Sequence, residues 1–173
     1  MRAFIAIPLD DALRPGVASV QEALRAAGGA VSWIRPESLH LTLKFLGEIP
    51  DATRLEFRPG PPFDLELAGI GEFGGRVVWA GCRGADGALR ALAAKSEEAG
   101  ERIGVPREQR PFAGHVTIGR IRSPRNLKRL RERMVPWKDR VFGPWPVRRV
   151  VLFRSERSPE GAVYTVVAEY PCA

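Results

Sequence analysis

Leu39-His40-Leu41-Thr42-Leu43-Lys44-Phe45-Leu46 and, in the second half of the chain, Gly114-His115-Val116-Thr117-Ile118-Gly119 are the stretches that decide how this sequence is read. His40 and His115 are the only histidines in 173 residues, and each stands two places before a threonine, with aliphatic residues between and after. The chain has four threonines, so two such coincidences carry odds of roughly one in two thousand by chance. Each stretch predicts a β-strand. Side chains at i and i+2 share one face, so each His and its Thr look the same way, while Leu41 and Leu43, or Val116 and Ile118, face a core.

Working outward, residues 2–7 read as a first strand (Phe4, Ile5, Ile7). Asp10 and Asp11 then open a helix with apolar positions Leu13, Val17, Val20, Leu24 and Ala27, stopped by Gly28-Gly29. Pro15 is tolerated because it lies near the first turn. The irregular stretch 58–62, Arg-Pro-Gly-Pro-Pro, is a candidate lobe boundary within what is otherwise a single domain. Strands are expected at 63–67 and 76–80, a second helix at 86–103, and a short basic helix from Ser123-Pro124 to about Met134. Strands at 147–154 and 162–169 follow, with Trp137 and Trp145 in a Pro-containing loop before them. Strands that follow one another without a helix between them favour antiparallel pairing, hence an α+β fold. A weak internal repeat is visible: each half has a helix followed, after a turn, by a His-containing strand.

Composition excludes several classes. Hydrophobic residues make up 45% and charged residues 27%, ordinary for a globular chain and wrong for a disordered one. No apolar run has membrane-spanning length, and the apolar start ends at Pro8, too early for a signal-peptide core. Cys82 and Cys172 fit neither a metal spacing nor a disulfide framework, so a reducing cytoplasm is the expected compartment. The net charge of +7 favours a polyanionic partner.

Two imidazoles and two hydroxyls around one space form a set with recognisable chemistry. One imidazole accepts a proton while the other donates one, and the hydroxyls hold the oxygens of a phosphate as charge builds on them. Such a set asks for no metal and no cofactor, and two histidines without a convergent Cys or carboxylate pattern make an incomplete zinc site.

With these residues in view, the sequence resembles a known family. Trp33-Ile34-Arg35-Pro36-Glu37-Ser38 followed by Leu39 to Glu48 is similar to the first signature of the 2H phosphoesterases, in the branch historically called 2′-5′ RNA ligase (LigT or ThpR). Arg110-Pro111-Phe112-Ala113-Gly114-His115-Val116-Thr117-Ile118-Gly119-Arg120 resembles the second. The resemblance implies two pseudo-symmetric lobes of mainly antiparallel sheet, helices outside, and a central cleft with one His-x-Thr from each lobe. It implies opening of RNA 2′,3′-cyclic phosphates to 2′-phosphates, with some reversible 2′-5′ ligation, His40 as proton donor and His115 as acceptor. Two departures stand out. Gly114 takes the place of a proline common before the second histidine, and the helix usual after the first motif is cut down to residues 51–57.

Further candidates surround the motifs. Arg120 matches a family position that contacts phosphate, but by strict alternation it needs a bulge to turn inward. Lys44 shares the parity of His40 and Thr42 and could extend the phosphate site. Phe4 is a candidate wall for a nucleobase and Arg110 a candidate for the cleft edge. The run Arg122, Arg125, Lys128, Arg129, Arg131 and Arg133 is either a solvated face or a track for RNA. The expected partner is therefore RNA ending in a 2′,3′-cyclic phosphate, met by a monomer without membrane attachment. Rival readings are an RNA-end-binding protein without turnover, and a phosphodiesterase for a small nucleotide cyclic phosphate or a 2′-5′ oligonucleotide.

Overall fold

The structure, a computed structural model, describes residues 1–173. Nine strands form one sheet: β1 (Arg2–Pro8), β2 (Val31–Trp33), β3 (His40–Glu48), β4 (Phe63–Phe73), β5 (Val77–Gly84), β6 (His115–Ile121), β7 (Val141–Val147), β8 (Arg149–Ser158) and β9 (Gly161–Pro171). Three helices accompany them, α1 (Arg14–Arg25), α2 (Asp86–Arg102) and α3 (Leu127–Met134). The strand order is β7-β4-β5-β6-β3-β1-β8-β9, with β2 also on β6, and every pairing is antiparallel.

The centre of this order is a seam. Strands β3 and β6 meet only through Leu41 and Val116, the residues between each His and its Thr. On either side the topology repeats: β1-α1-β3 is matched by β5-α2-β6, then β8 and β9 lie beyond β1 as β4 and β7 lie beyond β5. The fold is α+β with two pseudo-symmetric halves. They are not consecutive in sequence, because β8 and β9 return to the first half after β7 has completed the second. A single cluster of 33 buried apolar residues runs through both, so they share one core.

The helices lock the seam from behind. α1 buries Val17, Val20 and Leu24, and its one buried polar residue, Gln21, donates to the carbonyls of Ile34 (2.7 Å) and Ile118 (2.9 Å). The helix of the first half is thereby tied to β6 of the second. α2 packs reciprocally on β3, with Gly100 letting Lys44 and Leu46 approach its backbone.

Some sequence expectations are corrected. Residues 51–57 hold no helix; the segment is irregular and buries Leu55 and Phe57, while the Leu55 carbonyl accepts from the Tyr170 hydroxyl at 2.9 Å. The expected loop around Trp145 contains β7. Pro144 and Pro146 lack amide donors, and β7 accommodates them because it is an edge strand, with Trp145 fully buried between them. α3 begins at Leu127, after a turn in which Ser123 Oγ accepts from the Arg125 amide and Asn126 adopts a left-handed φ of 58°.

Candidate active site

His40 and Thr42 from β3 and His115 and Thr117 from β6 line one cleft of about 540 Å³, within the range of small-ligand sites. The two imidazoles are mounted identically. His40 Nδ1 lies 2.7 Å from the Ser38 carbonyl oxygen, and His115 Nδ1 lies 2.7 Å from that of Ala113, in each case two residues upstream. A carbonyl can only accept, so Nδ1 carries the hydrogen in both rings and Nε2 is the free nitrogen. The entry to β6 explains Gly114: a Cβ there would stand 2.8 Å from Leu89 of α2.

The two strands also share an irregularity just past each motif. Register slips fall at Leu43 in β3 and at Ile118 in β6, each three residues after the histidine. Such a bulge inverts the facing of the residues beyond it. Arg120 thereby reaches the cleft, meeting the condition its position in the sequence imposed, and Phe45, its counterpart in the first half, does the same. Phe45 is 62% exposed.

The bulge also corrects the reading of Lys44. Its parity with His40 is lost, and it pairs in register with the core residue Ile5. Although it contributes to the cleft wall, its Nζ is 2.7 Å from both Glu97 Oε2 and the Pro106 carbonyl, which leaves no free charge for a phosphate. Phe4 is likewise not an open wall for a base. It is 3% exposed, and its ring underlies His40 at 4.8 Å. Arg110 does stand at the cleft rim, paired with Glu108 at 3.5 Å.

Residues the sequence did not single out complete the site. Phe153 and Tyr164, from β8 and β9, lie 6.2 and 5.2 Å from the His40 ring, the latter edge-on. Phe73 meets His115 edge-on at 5.1 Å, and Arg76 and Phe112 line the cleft beside it. The aromatic surroundings act on His40: burial lowers its pKa from 6.5 to about 4, opposed by the hydrogen bond to Ser38 and assisted by the positive charges of Arg120 and Arg14.

Two His-x-Thr strands meeting in one cleft, over most of a chain of this topology, identify the lineage. The chain belongs to the 2′-5′ RNA ligase superfamily. Residues 9–159 match the model of that family. Among its members the chain is similar to the RNA 2′,3′-cyclic phosphodiesterase of Methanothermobacter thermautotrophicus, 33% identical over 95% of each chain. The enzyme of the same name from Thermus thermophilus is 34% identical, over 98% of this chain and 89% of the relative. Solved structures agree in fold. TT0787 of Thermus thermophilus superposes with a TM-score of 0.76 at 32% identity, covering 99% of this chain and 97% of the other. E. coli LigT in apo form gives 0.74 at 26%, covering 99% and 96%.

Proposed function

We propose that this superfamily member hydrolyses RNA 2′,3′-cyclic phosphate ends to 2′-phosphomonoesters by acid–base catalysis between His40 and His115. One observation carries the reading: two imidazoles, each with Nδ1 fixed by a carbonyl and Nε2 free, share a cleft with two threonine hydroxyls and Arg120. The curated relatives named RNA 2′,3′-cyclic phosphodiesterase align over nearly all of the chain and support it.

In the proposed step a water oxygen attacks phosphorus and gives its proton to Nε2 of His115. The bond from phosphorus to the 3′ oxygen breaks, and Nε2 of His40 protonates that oxygen, leaving the phosphate on the 2′ position. Thr42, Thr117 and Arg120 hold the non-bridging oxygens. Burial keeps His40 neutral in the free protein at pH 7, so its role as donor depends on the bound phosphate, whose negative charge favours the protonated ring. A 5′-hydroxyl in place of water would give a 2′-5′ linkage by the same displacement, which makes ligation the reverse-capable side of this activity. None of these steps calls for a metal.

The test is incubation of cyclic-phosphate-ended RNA with the protein in excess EDTA, with identification of the product. A 2′-phosphomonoester is expected. Tight binding of the RNA end without any turnover would make the protein an RNA-end binder and overturn the reading.

A further inference from the structure

We propose that the cationic face running from Arg122 along α3 (Arg125, Lys128, Arg129 and Arg133) binds the backbone of an RNA strand whose 3′ end occupies the cleft. The inference rests on the functional reading above and extends it from the reacting end to the length of the substrate.

Unpaired positive charge is dense in residues 122–133, where five of six basic side chains lack a carboxylate partner. Elsewhere in the molecule nine of eighteen guanidinium groups pair with carboxylates, as in Arg107–Glu101 at 2.8 Å, Arg148–Asp64 at 3.0 Å and Arg83–Glu66. Within the basic segment only Arg131 does so, with Glu72 at 2.9 Å. Arg122, Arg125, Lys128, Arg129 and Arg133 have no carboxylate within ion-pair distance, and neither have Arg76 and Arg120 in the cleft. α3 is anchored by buried Leu130 and Met134, which turns Lys128, Arg129 and Arg133 to solvent. Arg129 and Arg133 are four apart on one helix, a spacing at which like charges repel. α3 carries four basic residues, Lys128, Arg129, Arg131 and Arg133, against one acid, Glu132, which lies on the same face as Lys128, Arg129 and Arg133 and leaves that face net positive.

The face is continuous with the site. Arg76 and Val77 line the cleft, and Gly75, the next residue back, abuts Leu127 of α3 closely enough that a Cβ would come within 3.2 Å of it. Glu72 holds this turn from both sides, accepting from the Gly75 amide at 2.6 Å and from Arg131. On the neighbouring strand the cationic series runs from Arg120, in the cleft, to Arg122, whose Nε is steadied by Ser32 Oγ at 3.0 Å. A strand leaving the cleft past Arg76 and Arg120 therefore meets α3 next. A polyanion is the partner such a row fits, since each neutralised phosphate releases counterions.

The test uses Arg125→Gln/Lys128→Gln/Arg129→Gln in the full chain; none of the three side chains is buried. Binding of a fluorescent RNA oligomer ending in 2′-phosphate is measured by anisotropy across a salt series, and turnover of a cyclic mononucleotide is measured in parallel. We expect RNA affinity to fall about tenfold or more, and the slope of log affinity against log salt to shrink by roughly two, from about 0.7 per phosphate contact. Mononucleotide turnover should be unchanged. Unchanged RNA affinity and slope would overturn the proposal, as would an equal loss for RNA and mononucleotide. If the wild type turned over neither substrate, the catalytic reading would fail, while the binding series would still decide this one.

Discussion

The two halves of the cleft share a backbone and a His-x-Thr pair and differ in the side chains around that pair. In the first half His40 sits among Phe4, Phe153 and Tyr164, and the residue five places after it, brought inward by the bulge, is Phe45. In the second half His115 touches one aromatic ring, Phe73, and the residue five places after it is Arg120, with Arg76 and Arg110 nearby. The same strand, the same carbonyl hold on Nδ1 and the same bulge thus mount equivalent imidazoles, one ringed by aromatic side chains and the other against a single ring in the part of the cleft that holds Arg76, Arg110 and Arg120. In the proposed mechanism symmetry supplies the pair of proton carriers, and the asymmetry would fit the aromatic side to a base and ribose and the arginine side to the phosphate.

The strongest way to break this comparison is to remove either imidazole. His40→Ala and His115→Ala should each lower kcat by about 10² to 10⁴, the worth of a positioned acid or base, with RNA affinity nearly intact. Steady-state kinetics beside direct binding will check this, and variants that keep turnover but lose affinity would remove both residues from the chemistry.

A second consequence separates the halves by stability. Burial lowers His40 to about 4 in the folded protein, against about 6.5 unfolded. Between these values the unfolded chain binds more protons, so stability is complete above pH 6.5 and declines as pH falls toward 4. The contribution of His40 to that decline should be about 2–3 kcal/mol. Urea unfolding of wild type and His40→Leu at pH 7 and near pH 4 should show it as a difference in their pH dependence, and identical dependence would place His40 in water.

Next comes the pair five residues beyond the histidines. Phe45→Ala should raise KM by about 10- to 100-fold with kcat held, as loss of a stacking surface does. Arg120→Ala should lower kcat as well, because a phosphate contact strengthens as charge develops. Equal kinetic signatures for the two would erase the division between an apolar and a phosphate side. Thr42→Ala and Thr117→Ala should have the smallest effects, up to about tenfold in kcat/KM, each removing one neutral donor.

The motif, the helices and the antiparallel α+β class were legible because each depends on local spacing. The residues just past the motifs were harder to place. A bulge adds one residue to a strand without a mark in the hydrophobic pattern, so Lys44 read as cleft-facing, Phe45 drew no reading, and Arg120 could be placed only on condition of a bulge. Phe153 and Tyr164 reach His40 because β8 and β9 return to the first half, a long-range pairing that local sequence does not encode. β7 escaped notice because prolines argue against a strand unless it is known to lie at an edge.

The most direct test of paired imidazole catalysis is the pH dependence of kcat/KM for a cyclic-phosphate substrate under conditions where chemistry limits the rate. We expect a bell with one limb near 4, set by His40 in the free protein, that disappears in His40→Ala. A profile flat from about pH 4 to 9 would contradict two-histidine acid–base catalysis.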